Sequence, residues 1–141
     1  MQRRNFIKSS CTFCIGATVL GTAVTELSSC ASLPIYKGNT DQGFMNIPLS
    51  ALEDKNMLIV RNADMEYDIL LVKKSATDIS ALLMKCTHQN NPLIANNTGL
   101  FCPSHGSAFD LEGNVTQDPA LVSLKKYKAE IINETVIINL K

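Results

Sequence analysis

Cys86-Thr87-His88 and Cys102-Pro103-Ser104-His105-Gly106-Ser107-Ala108-Phe109-Asp110 decide how this chain is read, and they hold both of its histidines. The first stretch is C-x-H and the second C-x-x-H, with thirteen residues between His88 and Cys102. Thiolates and imidazoles are the donors that hold zinc or iron–sulfur clusters. Each stretch supplies one of each, so two short loops can clamp a single centre from opposite sides. Three other chemistries use the same residue types. Structural zinc sites usually group two Cys together and two His together, whereas here each stretch is mixed. A Cys–His nucleophile pair has no need of a second Cys and His. Inert core residues need no such spacing.

If Cys86 and Cys102 bind one iron and His88 and His105 another, the pattern is the Rieske arrangement of a 2Fe–2S cluster. The flanking residues extend the likeness. The second stretch, with Gly113 and Pro119-Ala120 beyond it, resembles the C-P-x-H-G-S-x-[FY]-D…G…G-P-A signature of Rieske iron–sulfur domains. Cys-Thr-His resembles the family's first box, and the overall pattern covers about residues 43–141. The resemblance implies an all-β fold, a Rieske-type antiparallel β-sandwich with a small cluster-binding subdomain at about residues 86–110. It implies one 2Fe–2S cluster per subunit, held by Cys86, His88, Cys102 and His105, the His-bound iron changing between Fe(III) and Fe(II). It implies that Ser107 donates to a bridging sulfide. Phe109 stands where high-potential members carry a Tyr that donates to a Cys sulfur. Pro119 stiffens a loop covering the cluster, and no catalytic residue is implied.

The chain also departs from the pattern. Quinol-oxidising Rieske proteins carry an extra Cys in each box, forming a disulfide; Asn91 and Ser104 occupy those positions here. Gln89 replaces the apolar residue that follows the first His in that subgroup, and Asp118 replaces the Gly before Pro119. The thirteen-residue gap is shorter than usual for the family.

Residues 1–29 read as an address. Gln2-Arg3-Arg4-Asn5-Phe6-Ile7-Lys8 resembles the twin-arginine export motif. The mostly apolar run from Cys11 to Val24 is fourteen residues, or roughly 21 Å as a helix, short of the ~30 Å hydrocarbon core. It reads as the hydrophobic region of a signal peptide, and Cys11 and Cys14 within it as small apolar filler. Leu27-Ser28-Ser29-Cys30 resembles a bacterial lipobox, making Cys30 the lipidation site after cleavage; an uncleaved anchor is the rival. Residues 30–42 read as a tether. The expected location is the bacterial cell envelope, membrane-anchored on the periplasmic or outer-facing side, reached through the twin-arginine translocase.

Of five Cys, two lie in the apolar run and one in the lipobox, leaving only Cys86 and Cys102. No pair remains for a structural disulfide. Residues 31–141 carry ten basic and twelve acidic side chains, a formal −2. That excludes a basic field for nucleic acid. Lys125-Lys126 with Lys128 is a small basic cluster, read as a solvated face, with a partner-docking patch as the alternative. Strands are predicted at Phe44–Pro48, Asn56–Arg61, Tyr67–Lys73, Asp78–Lys85 and Leu100–Phe101, with turns at 49–52, 62–64 and 96–99. Leu124–Ile132 and Thr135–Leu140 form a predicted hairpin around Asn133-Glu134.

The functional expectation is an exported, membrane-tethered Rieske protein carrying single electrons between redox protein partners. It is an electron carrier or oxidoreductase subunit before it is a stand-alone enzyme. Two alternatives stand beside it: a Rieske subunit of a quinol–cytochrome c reductase or arsenite oxidase-like complex, and the ferredoxin component of a ring-hydroxylating oxygenase.

Overall fold

Short apolar runs separated by turns fold into twelve strands in the computed structural model, which describes residues 32–52 and 55–141. In chain order they are β1 (Ile35–Lys37), β2 (Thr40–Asp41), β3 (Phe44–Pro48), β4 (Met57–Arg61), β5 (Ile69–Lys73), β6 (Ile79–Leu83), β7 (Ile94–Ala95), β8 (Leu100–Phe101), β9 (Ala108–Phe109), β10 (Val115–Gln117), β11 (Lys126–Ile132) and β12 (Thr135–Asn139). A single 3₁₀ turn, Leu49–Leu52, follows β3. No helix among the described residues is long and apolar enough to cross a membrane. The export motif at 2–8, the apolar run at 11–24 and the lipobox with Cys30 lie outside the described residues.

Eight strands form one sheet in the order β1-β4-β5-β6-β11-β12-β3-β2, and four form a second in the order β10-β9-β8-β7. β11 is the hinge of the large sheet. Lys126 and Tyr127 pair with β6, whereas Lys128–Ile132 pair with β12. The large sheet therefore turns a corner at β11 and folds over itself. Met45, Ile47, Val136 and Ile138 from one half meet Leu58, Val60, Ile69, Leu71 and Ala81 from the other in one core. The β11–β12 hairpin closes through Asn133 and Glu134, with φ of 46° and 60°. Two successive left-handed residues give the turn whose twist matches a two-residue hairpin.

β5 is buried along nearly its whole length, because both of its faces are covered. Ile69 and Leu71 point into the core just described, while Leu70 and Val72 join a second core. A strand covered on both faces reads as a continuous apolar run rather than an alternation, as Ile69-Leu70-Leu71-Val72 does. The second core lies under the small sheet. Leu70, Val72, Leu82 and Met84 pack there with Cys86, Leu93, Leu100, Cys102, Phe109 and Leu124. Both cysteines of the paired motif thus sit inside a hydrophobic core that fastens the small sheet to the sandwich.

Much of the tether expected over residues 30–42 belongs to the sheet: β1 pairs in parallel with β4, β2 pairs with β3, and Leu33 is buried in the second core. Strands of three and two residues are too short to show a period of two. They are held by tertiary partners: Gly38 N–H donates to the Arg61 carbonyl and Asn62 Nδ2 donates to the Gly38 carbonyl.

Candidate metal centre

The two boxes adopt the same loop. Cys86 N–H donates to the Asn91 carbonyl (2.8 Å) and Asn90 N–H donates back to the Cys86 carbonyl (2.9 Å). In the second box Cys102 N–H donates to the Ser107 carbonyl (2.8 Å) and Gly106 N–H to the Cys102 carbonyl (3.0 Å). The fifth residue of each loop has positive φ, 56° at Asn90 and 84° at Gly106. Asn and Gly are the residues that adopt this conformation most readily. Each Cys is therefore held at the loop's base by its own backbone hydrogen bonds. The imidazole follows two residues later in the first loop and three later in the second.

This places the donors two and two. Cys86 and Cys102 are not joined in a disulfide, and each residue is only 1% exposed. His88 and His105 are exposed, their ring centroids 5.1 Å apart and their planes at 89°. Among the described residues no three Cys, His, Asp or Glu side chains are grouped as ligands of a single ion. Burial pushes the Cys102 thiol up, but the Ser104 and His105 backbone N–H groups, the Cys86 thiol and the Ser104 hydroxyl bring it below its ordinary value. A group of donors around one sulfur favours the thiolate, the form that binds metal. The donor set thus fits a two-iron cluster with one thiolate pair and one imidazole pair. A four-ligand zinc ion would instead need all four donors to converge on one point.

A third segment closes over both loops. Ser107 is fully buried, and its Oγ accepts the Ala120 N–H at 3.0 Å. Thr87 Oγ1 donates to the Val122 carbonyl at 2.6 Å. The segment containing Pro119 is therefore bolted to the second box by Ser107 and to the first by Thr87. Because the Ser107 oxygen accepts from Ala120, its own hydrogen is left to donate elsewhere. Phe109 is buried in the same core as both cysteines, with its ring offering no donor. Its carbonyl lies against Gly99, where an added Cβ would sit 2.3 Å from it. The turn before β8 therefore requires glycine by close approach.

Two contributors were not singled out from the sequence. Tyr67 OH donates to the Asn90 carbonyl at 2.6 Å, with Glu66 Oε1 as a second acceptor at 3.0 Å. It braces the first loop from 23 residues away, a separation that leaves no local signal. Asp110, quoted only as part of the motif, accepts from the Glu112 and Asn114 N–H groups and from Asn114 Nδ2. It organises the turn between β9 and β10.

A family model described as the Rieske [2Fe-2S] domain matches residues 47–128. The cytochrome b6-f complex iron-sulfur subunit of Chlorobaculum thiosulfatiphilum is 34% identical over 77 residues, covering 52% of this chain and 41% of that protein. The mitochondrial cytochrome b-c1 complex Rieske subunit of Bos taurus is 33% identical over 78 residues, covering 53% of this chain and 28% of that protein. The chain thus spans less than half the length of these relatives. Among solved structures, a plasma membrane Rieske protein from Synechocystis PCC 6803 is similar with a TM-score of 0.55 and 24% identity, over 64% of this chain and 93% of that one. A chain from the complex of reduced oxygenase and oxidized ferredoxin in carbazole 1,9a-dioxygenase is similar with a TM-score of 0.54 and 18% identity, over 72% of this chain and 96% of that one. At those identities the likeness is one of fold.

Proposed function

Because this chain belongs to the Rieske [2Fe-2S] domain family, whose cofactor is a 2Fe–2S cluster, we propose that it carries single electrons, with Cys86 and Cys102 ligating one iron and His88 and His105 the other. The observation that carries the assignment is the pair of like-built loops, which bury two thiols together and leave two imidazoles exposed together. The cluster supplies a one-electron Fe(III)/Fe(II) couple. Neutral imidazoles in place of two thiolates remove negative charge and raise its potential. The protein's own part is to hold, shield and tune. The second core would keep water from the thiolate side, the Ser107 hydroxyl, which accepts from Ala120 N–H, would have its hydrogen to donate toward the cluster, and Pro119 would stiffen the cover. The exposed imidazole edge is the exit for the electron.

In the same reading the chain is exported by the twin-arginine translocase and tethered to the membrane in the cell envelope. The support is the Arg3-Arg4 motif, the apolar run and the lipobox at Cys30. A second reading, a Rieske subunit of a cytochrome b6-f or b-c1 type complex, is favoured by the curated relatives. The absent disulfide and the polar Gln89-Asn90-Asn91 tip oppose it.

The test is metal and sulfide analysis of protein purified from membranes, with mass spectrometry of its N-terminus. Two irons and two acid-labile sulfides per chain, as the 2Fe–2S family requires, together with an acylated Cys30 are expected. Stoichiometric zinc without sulfide would end the cluster assignment, and an intact Met1 would replace the lipoprotein by a signal anchor.

A further inference from the structure

The lysine cluster that the sequence offers as a solvated face divides in the folded chain. Lys128 pairs with Glu130 at 2.9 Å. Lys126 lies on β11, where its charge acts on Asp110. Lys125 instead lines an open groove with Lys85, Leu83, Cys86, Thr87 and Val122. The groove runs beside the first box, at the point where Thr87 is bonded to Val122.

Both groove lysines are braced but unneutralised. Lys85 Nζ stands 5.1 Å from the Tyr67 ring centroid and Lys125 Nζ 4.5 Å from that of Tyr127. Cation–π contact of this kind holds the ammonium without cancelling its charge. Among the described residues the ion pairs are Arg61–Asp68, Lys74–Glu112 and Lys128–Glu130, so neither groove lysine has a carboxylate partner. No carboxylate lines the groove. Val122, which lines it, is 65% exposed, and its neighbour Leu121 is 85% exposed, an apolar pair in the segment that covers the two boxes. An apolar centre with a charged rim is the anatomy of a protein interface, and a small one suits a transient electron-transfer encounter.

We propose that Leu121 and Val122, rimmed by Lys85 and Lys125, form the docking face for an electron-transfer protein with an acidic rim around its own redox edge. The proposal rests on the carrier reading above and adds the sign of the partner. The overall formal charge of this chain is zero, so steering comes from the local field of the groove rather than from net charge.

The test is stopped-flow oxidation of the reduced, cluster-loaded full-length protein by two c-type cytochromes of like potential, one acidic and one basic. The second-order rate with the acidic cytochrome should fall steeply as salt rises. Lys85→Gln with Lys125→Gln should lower its low-salt value by about threefold or more and flatten the salt dependence. Lys126→Gln with Lys128→Gln removes the same net charge away from the groove and should change neither by more than experimental error. Transfer to both cytochromes without this salt dependence, or equal effects of the two double variants, would overturn the docking face alone. No transfer to either cytochrome would overturn the carrier reading as well. Salt-sensitive binding to vesicles of anionic lipid, lost in the Lys85/Lys125 variant while cytochrome rates are unmoved, would overturn the proposal in favour of a lipid surface.

Discussion

Ser107 shows how one buried hydroxyl joins fold to function. It accepts from Ala120 N–H and has a hydrogen left to donate. Ser107→Ala strips a buried N–H of its acceptor, which costs about 1–3 kcal/mol. The same change is expected to lower the reduction potential, because a lost donor no longer stabilises the more negative, reduced cluster. If that loss is the net worth of one hydrogen bond, about 1 kcal/mol, the shift is about 40 mV for one electron. Denaturant titration and protein-film voltammetry on one sample read both effects. Phe109→Tyr is expected to shift the potential upward by a like amount, by placing a hydroxyl near the cysteine sulfurs of the same core. An unchanged potential would show that the ring edge faces elsewhere. At this scale the candidate site could be named from sequence because its residues are local. The Cys, His, Ser and Phe fall within twenty-four residues, and the roles expected of them come from that stretch's resemblance to the family. Tyr67 was not legible, since its bond to Asn90 exists only once β5 is in place.

Among the elements, the turn from Asp110 to Asn114 carries a pH dependence of known sign. Burial raises the Asp110 carboxyl, but the Asn114 side chain, the Asn114 and Glu112 N–H groups and the Lys126 charge bring it net below its ordinary value. A carboxyl depressed in the folded state contributes stability that is full above its unfolded pKa of about 3.9 and is lost as pH falls through the folded value. Wild type should therefore lose stability below about pH 4 more steeply than Asp110→Asn does. Parallel acid titrations followed by far-ultraviolet dichroism test this, and parallel curves would remove Asp110 from the account. The longer strands β3, β4, β5, β6, β11 and β12 were readable from apolar patterning, β8 from its place between a turn and Cys102, and the β11–β12 turn from Asn133-Glu134. The short strands β1, β2, β7, β9 and β10 were not, because two or three residues cannot express a period. Their pairing comes from what lies beside them, as when the Phe109 carbonyl presses on Gly99.

Over the described molecule, β5 divides two cores, one that makes the sandwich and one that holds the loops proposed to bind the cluster. Leu70 and Leu71 are both fully buried but face opposite ways. Either Leu→Ala change is expected to cost about 2–5 kcal/mol, yet only Leu70→Ala opens space beneath the cysteines. Cluster absorbance should therefore bleach well before global unfolding in Leu70→Ala, and together with it in Leu71→Ala. The fold class was legible before the structure because the motif implied it. The division into two cores was not, because an all-apolar strand does not say which residue faces which layer. The central claim is that two imidazoles, His88 and His105, ligate one iron of the cluster. Electron spin-echo spectroscopy of the reduced protein, grown with ¹⁵N-histidine, reads this directly, since the coupled irons of a reduced cluster would pass spin density to any imidazole nitrogen bound to them. Two distinct ¹⁵N couplings are expected, with the pattern abolished or altered by His105→Cys. A reduced protein that shows no directly bound nitrogen, or keeps an unaltered pair of couplings after His105→Cys, would contradict the assignment.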